Sequence, residues 1–172
     1  MRIVRFFLGL IVAAMAAIGV VFVVGMRRKS PIVLNTVRRS GRAMKPLVLR
    51  TAGTAGSPTA VVHHVGRRSG REYRTPVVAT PIDGGFAFAL PYGPNTDWLK
   101  NVLHTGRFTV VVDGESYDVT DPEVVTIEEI TSHFGRADQR MHQVFGVSDG
   151  LVVRSLELPV VEHSVEPAMN GI

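Results

Sequence analysis

Residues 59–80 read TAVVHHVGRRSGREYRTPVVAT, and this stretch decides the fold. Two runs rich in β-branched residues, Thr59–Val65 and Glu72–Pro81, flank the short basic segment Gly66–Gly70. Alternating β-prone residues on either side of a glycine-bounded turn are typical of two antiparallel strands. The stretch therefore predicts a β-hairpin with an arginine-rich bend.

The bend also has the chemistry of an anion-binding loop. Gly66 and Gly70 let the backbone turn sharply and present N–H groups. Arg67, Arg68 and Arg71 would add guanidinium donors that suit phosphate or carboxylate, and Ser69 would add a hydroxyl. The alternative is a solvated basic turn with no ligand.

The sequence on either side of this hairpin has a similar β texture. A strand is predicted at Leu47–Thr51, and an Asp113–Gly114 turn predicts a second hairpin. The other predicted elements are strands at Phe86–Leu90, Phe108–Val112, Glu115–Thr120, Glu123–Thr126 and Leu151–Val161, a helix at Thr96–His104, and one or two helices within Ile127–Phe145. Many short strands with one or two helices indicate a mainly β (α+β) domain, either a small barrel or a strongly curled sheet.

The N-terminal segment differs from the rest of the chain. Phe6–Met26 contains 21 residues without a charge, enough to span a hydrocarbon core of about 30 Å. We expect an uncleaved transmembrane anchor. The alternative is a signal peptide, which would be shorter and followed by small neutral residues rather than by basic ones.

A belt of basic residues follows the apolar segment. Of the 19 Lys and Arg residues, eight fall within residues 27–50, where no acid occurs, and all 15 acids follow residue 51. Such a belt beside a membrane helix attracts anionic lipid and, by the positive-inside rule, predicts a cytoplasmic C-terminal domain. Ser30 and Pro31 predict the start of a surface helix over 31–44 that ends at Pro46. Nucleic-acid binding is the weaker interpretation, since aromatic residues are not interleaved with the belt.

Several classes of chemistry are excluded or disfavoured. The chain has no cysteine, which excludes disulfides and thiolate catalysis. His63 and His64 are adjacent and would face opposite sides of a strand, while His133 and His142 lack a metal-ligand spacing. We therefore expect no metal site. The nucleophile elbow and the phosphate-binding Walker loop are also missing.

The order of the motifs resembles a known family. The Gly66–Gly70 turn is followed by Arg74-Thr-Pro76, by Asp83-Gly84, by a loop containing Tyr92-Gly93, and by Trp98-Leu-Lys-Asn101 before a hairpin. Over residues 47–125 this resembles the deazaflavin-dependent nitroreductases, split β-barrel oxidoreductases of actinobacteria that use coenzyme F420. Residues 154–161 are similar to the closing strand of that family.

The resemblance implies an FMN-binding-type split β-barrel and a set of site residues. Gly66, Arg67, Arg68, Ser69 and Gly70 would hold the anionic tail of F420, with assistance from Arg71 and Arg74. The ring-side residues would be Pro76, Val77, Val78, Gly93, Trp98 and Asn101. Tyr92 would be the catalytic proton donor, with Tyr73 as a second candidate; Trp98 is equally a core anchor.

The chain also departs from the family pattern. Leu99 stands where a tyrosine is usual, and the tyrosines expected before the last strand are replaced around Phe145, Val147 and Ser148. The expected function is hydride transfer from reduced F420 to a lipophilic acceptor such as a quinone or nitro compound. The alternatives are a non-catalytic F420- or flavin-binding module, or FMN or heme in the same fold.

The expected organisation has four parts. Residues 1–28 form the anchor, 29–45 the basic juxtamembrane helix, 46–165 the split-barrel F420-binding domain and 166–172 a tail. The expected partners are the lipid bilayer, the acceptor molecule and, because split barrels often pair, a second copy in a homodimer.

Overall fold

A computed structural model describes residues 2–156, with side chains from Phe7 onward. Five α-helices and seven strands follow one another in these residues. In chain order they are α1 (Arg2–Arg27), α2 (Pro31–Val48), β1 (Ala60–Val65), β2 (Glu72–Val77), β3 (Thr80–Ile82), β4 (Gly85–Ala89), α3 (Asp97–Thr105), β5 (Arg107–Val112), β6 (Glu115–Thr126), α4 (Ile127–Ile130), a 3₁₀ turn (Thr131–His133), α5 (Arg136–Phe145) and β7 (Asp149–Ser155). The predicted continuation of the last strand beyond residue 156 lies outside the described residues.

The seven strands form one antiparallel sheet in the order β2-β1-β5-β6-β7-β4-β3. Its two edge strands, β2 and β3, are consecutive in the chain and only Val78 and Ala79 lie between them. A flat sheet would hold these edges about 29 Å apart, whereas the link reaches only about 10 Å. The sheet is therefore curled into a half-barrel that is split between β2 and β3, which confirms the predicted mainly β fold class.

One predicted strand, Glu72–Pro81, is in fact two. Pro76 pairs with Val61 in β1, and Pro81 pairs with Phe86 in β4, at opposite edges of the sheet. Proline lacks an N–H donor and is tolerated at an edge, so this stretch suits two edge strands better than a single central one.

The interior of the curl is filled by both sheet and helix side chains. Its fully buried residues include Phe88, Leu99, Val102, Val110, Val119 and Leu151. Leu99 and Val102 come from α3, which lies against β1, β5 and β6. Leu99 and Val102 therefore fix α3 inside the curl, where it faces the β1–β2 bend.

A second apolar cluster lies under α4 and the 3₁₀ turn. It contains Ala87, Ile127, Ile130, Phe134 and Val147.

Two further strand predictions need correction. Leu47–Thr51 is not a strand, because α2 continues to Val48 with Pro46 inside it, and the Leu49 N–H still donates to the Lys45 carbonyl at 2.9 Å. One missing hydrogen bond near the helix end does not terminate it. Glu115–Thr120 and Glu123–Thr126 are one strand, β6, whose register shifts beside Asp121 at φ 52°.

The N-terminal helix is long and apolar. Within it, Phe7–Arg27 spans 21 residues with a mean hydropathy of 2.9, enough in length and composition to cross a membrane. A tight turn at Lys29 follows, and Ser30 precedes α2 with Pro31 at its first position, as predicted. Gly25 lies against Val33, so α2 turns back directly from the end of α1.

Candidate functional site

The β1–β2 bend is a closed glycine turn that faces α3. The Gly66 N–H donates to the Arg71 carbonyl and the Gly70 N–H to the Gly66 carbonyl, both at 2.8 Å. Gly70 has φ 64°, a left-handed conformation that favours glycine. A Cβ on Gly66 would lie 2.6 Å from Ser69 Oγ and from the Tyr73 ring. Glycine at position 66 therefore lets Tyr73 pack across the bend.

The Arg67 side chain is bound to α3. Its Nη1 donates to Asn101 Oδ1 at 2.8 Å, its backbone N–H donates to the same oxygen at 3.2 Å, and Nη2 forms an ion pair with Asp97 at 3.4 Å. The Asp97 carboxylate is largely exposed, so the pair itself contributes little. Arg67 therefore fixes the bend to the helix more than it offers charge to a ligand.

The same network continues into the sheet through His64. Because Asn101 Oδ1 accepts from Arg67, its Nδ2 donates to His64 Nδ1 at 3.1 Å, which leaves His64 Nε2–H to donate to Thr75 Oγ1 at 3.0 Å. Burial, together with the nearby positive charge of Lys45 and the neighbouring His63, lowers the pKa of His64 to about 4. His64 is therefore neutral at neutral pH and serves as a connector.

A basic cavity of about 420 Å³ lies between the bend, α2 and α3. Arg42, Lys45 and Arg68 bring positive charge to it. In the described part of the chain the side chains of Arg42 and Arg68 make no hydrogen bond or ion pair. Burial lowers the pKa of Lys45, while Tyr73 opposes the shift. This cavity has unpaired donors suited to a multiply charged anion.

An apolar cavity of about 380 Å³ lies between the end of β2, the end of β4 with the loop after it, and the start of α3. Its wall is formed largely by Val48, Pro76, Val77, Val78, Phe88, Leu90, Pro91 and Trp98. Trp98, at the start of α3, also lines the basic cavity, so the indole is the wall that the two cavities share. The pair forms a bipartite site with one charged and one apolar compartment.

A few polar groups are set into the apolar compartment. Thr96 Oγ1 and His142 Nδ1 are buried without a hydrogen-bond partner in the residues described. Burial lowers the pKa of His142, and Asp138, which also lines this cavity, opposes that shift. Tyr92 borders the cavity, and the residue is 37% exposed. Sparse polar groups in an apolar cavity are typical of sites that orient a small organic ligand.

The loop carrying Tyr92 is held by the segment that follows α1. Lys29 Nζ donates to the Pro91 carbonyl at 3.3 Å, and Arg38 Nη2 donates to the Tyr92 carbonyl at 3.5 Å. Burial lowers the pKa of Lys29, while Asp149 raises it. Two residues of the basic belt thus serve to position the edge of the apolar cavity.

Not all of the predicted site residues come together. The basic cavity contains Gly66, Arg67, Arg68, Ser69, Trp98 and Asn101, and the apolar cavity contains Pro76, Val77, Val78, Tyr92, Gly93 and Trp98. Gly70 and Arg71 line neither of them. Arg74 lines a third hollow beside His63, because alternate residues of β2 face opposite sides. The predicted proton donor Tyr73 lies in the basic cavity, away from Tyr92.

Sequence reasoning missed several residues of the site. Arg42 and Lys45 were assigned to the membrane belt, yet their spacing of three places them on one helix face that meets the cavity. His64, Thr75 and His142 carried no recognisable spacing signal. Among the described residues, no three His, Asp or Glu side chains form a cluster that could hold a metal ion.

Comparisons with known proteins give distant structural likenesses only. No protein-family model and no curated protein matches the sequence. An F420-H2 dependent reductase is 13% identical, with 56% of this chain and 94% of that chain covered and a TM-score of 0.37. A putative 5-nitroimidazole antibiotic resistance protein from Bacteroides thetaiotaomicron is 10% identical over 67% and 80%, with a TM-score of 0.41. A chain described as a domain-swapped dimer is 16% identical over 68% and 98%, with a TM-score of 0.45.

The neutral state of His64 makes stability depend on pH. Because its pKa is lower in the folded chain than in the unfolded chain, the unfolded state takes up the proton first as pH falls. The contribution of neutral His64 to the free energy of unfolding is complete above about pH 6.5 and is lost as the pH falls to about 4. The loss amounts to roughly 2 kcal/mol after allowance for solvent screening. The unfolding temperature of detergent-solubilised protein should therefore decrease between pH 6.5 and pH 4. In the His64→Gln variant this decrease should be smaller than in the wild type.

The exposed His104 provides the matched control. His104→Gln should keep the wild-type decrease in unfolding temperature between pH 6.5 and 4. An equal decrease in wild type, His64→Gln and His104→Gln would contradict the proposed buried neutral connector.

Proposed function

We propose that the chain is a membrane-anchored oxidoreductase that binds reduced coenzyme F420 and passes a hydride to a lipophilic acceptor. The observation that carries this proposal is the bipartite site, in which Trp98 separates a basic cavity from an apolar one. F420 has the same division, with a flat deazaflavin ring at one end and a phosphate and glutamate tail at the other.

The tail end fits the basic cavity by charge. Arg68 and Ser69 reach it from the bend, while Arg42 and Lys45 reach it from α2. Three cationic groups that have no carboxylate partner among residues 7–156 favour an extended anion over a single phosphate. FMN, which carries one phosphate, is therefore the second choice of cofactor.

The ring end fits the apolar cavity by shape and polarity. Pro76, Val77 and Val78, at the end of β2 and in the link to β3, form one part of the wall, and Trp98 forms a part that both cavities share. An apolar lining excludes water from the reacting atoms. The hydride chemistry is supplied by the bound cofactor, while the residues around it bind and orient.

Tyr92 is the proposed proton donor of the site. A quinone that accepts a hydride must also take one proton on oxygen to become a hydroquinone. The Tyr92 phenol lies at the edge of the apolar cavity and is partly exposed, so it can give that proton and regain one from water. Arg38 and Lys29 hold the backbone beside it through the carbonyls of Tyr92 and Pro91.

The N-terminal helix motivates the choice of acceptor. A domain tethered by Phe7–Arg27 would work beside molecules dissolved in the bilayer. The basic belt favours a single-pass protein of the cell membrane with the domain on the cytoplasmic side, where a soluble reductant is available. We infer that the acceptor is a quinone or another lipophilic electrophile.

A non-catalytic F420-binding module is the second candidate. The region expected to carry pocket tyrosines has Phe145 packed on Phe22 and Val147 buried, and neither has a proton to donate. This favours binding without turnover if Tyr92 does not serve as the donor.

Binding of F420 should quench Trp98, the only tryptophan of the chain. We expect a Kd in the micromolar range or below for detergent-solubilised protein. Arg42→Ala and Arg68→Ala should each weaken binding about tenfold, equivalent to about 1.4 kcal/mol. Arg50→Ala is the control, because Arg50 is exposed and lines neither cavity. Wild-type protein that is folded by circular dichroism yet leaves Trp98 unquenched would refute the proposal.

Turnover separates the enzyme from the binding module. Wild-type protein should oxidise reduced F420 with menadione as acceptor, followed by absorbance, and Tyr92→Phe should lower kcat on the order of a hundredfold with little change in F420 affinity. Tyr117→Phe, in which the lost hydroxyl bonds Glu115 on the β5–β6 hairpin, should behave as wild type. F420 binding with no oxidation by the wild type would instead establish the non-catalytic module.

A further inference from the structure

The helix α5 has an apolar stripe of which only one end, Phe145, is covered by other described residues. Met141 is 52% exposed and Val144 is 44% exposed, and they share one side of the helix with Phe145. At about 100° per residue these three side chains fall within an arc of about 100°. None of the ten residues of α5 is fully buried, although the helix is strongly amphipathic.

The apolar stripe lies beside the end of α1. The rings of Phe22 and Phe145 meet edge-on, with centroids 6.1 Å apart, and Arg27 Nη1 donates to the Gln143 carbonyl at 3.3 Å. Gly146, which ends α5, lies so near the Arg27 backbone that a Cβ there would be 3.2 Å from its Cα. The end of α5 is therefore held against the last two turns of α1.

This contact sets the depth of α5 relative to a bilayer. The apolar span ends at Arg27, and Phe22 lies about 7.5 Å further back along the helix. A span of 21 residues is about 31 Å long and just crosses the hydrocarbon core, so Phe22 would lie inside the boundary. Phe145, in contact with Phe22, would then reach the level of the headgroups.

We propose that α5 is a membrane-interface helix whose exposed Met141 and Val144 insert between lipid headgroups, beside the partly buried Phe145. The inference rests on the membrane anchoring contained in the proposed function. Its occupant is the bilayer surface, because Phe145, at one end of the stripe, contacts Phe22 of the apolar helix α1. Arg136 and Arg140 lie on the polar side of α5, where they can extend towards phosphates.

The placement has a consequence for the apolar cavity. Asp138 and His142 lie on the neighbouring side of α5 and line that cavity. A single helix, about 10 Å across, would then separate the bilayer surface from the candidate site. A lipophilic acceptor would reach the cavity without crossing bulk water.

The absence of cysteine makes a direct test available. Single variants Met141→Cys and Val144→Cys, labelled with the environment-sensitive fluorophore NBD, are placed as the full chain in nanodiscs of zwitterionic and anionic lipid. We expect a blue-shifted emission and at least twofold quenching by lipid with a doxyl group at acyl carbon 5. Gln143→Cys is the control, since it lies between them in sequence but on the opposite, polar side.

Three outcomes would overturn the placement. Labels at 141 and 144 that are quenched no more than the label at 143 exclude insertion of α5. A blue shift without doxyl quenching shows that protein, such as a second copy, covers the stripe. Val12→Cys, inside the apolar span of α1, distinguishes failure of the anchor. If its label also escapes quenching, the anchoring and the α5 inference both fall, while F420 binding is judged separately through Trp98.

Discussion

The whole architecture depends on a two-residue link between strands at opposite edges of one sheet. Val78 and Ala79 join β2 to β3, so the seven strands must curl until their edges approach. The edges do not pair with each other, and the end of β2 together with Val78 of the link lines the apolar cavity. Pro76 and Pro81 suit these edges because an edge strand can do without one N–H donor. The link that closes the fold thus also contributes to the wall of the site.

The interior helix α3 divides this site into two compartments. Leu99 and Val102 fix the helix in the core, and this places Trp98 between the apolar and basic cavities. Asn101 ties the bend to the sheet through Arg67 and His64. Arg67, which bonds Asn101 and Asp97 of α3, is therefore not free to bind a ligand. The charge for a ligand then comes from Arg68 and from α2.

Local signals in the sequence predicted much of the fold. The glycine-bounded bend, the Asp113–Gly114 hairpin and α3 each depend on residues close in the chain, and the structure has all three. The C-terminal end of α2 and the single strand predicted over Glu72–Pro81 were wrong, because tertiary contacts decided them. A proline near a helix end can either end the helix or lie inside its last turn, and a long run of β-prone residues can form either one strand or two. Tertiary packing selects the second structure in both cases.

The site was less accessible from sequence for the same reason. The bend and Trp98 could be recognised by order and spacing, but Arg42, Lys45 and His142 reach the cavities on helices that pack from elsewhere in the chain. The charges of Arg42 and Lys45 suggested contact with lipid, and His142 gave no indication of a role in a site. Likewise, Lys29 and Arg38 hold the Pro91–Tyr92 backbone, a role that net charge alone does not reveal.

The bipartite site is tested most directly by comparing intact F420 with its deazaflavin portion lacking the phosphate and glutamate tail. Quenching of Trp98 would be titrated with each molecule at 50 mM and at 500 mM salt. If the tail occupies the basic cavity and the ring the apolar one, intact F420 binds more tightly and loses affinity with salt, while the tail-less ring binds weakly and is insensitive to salt. Equal affinities with no salt dependence would contradict the assignment of the basic cavity and, with it, the account of the site.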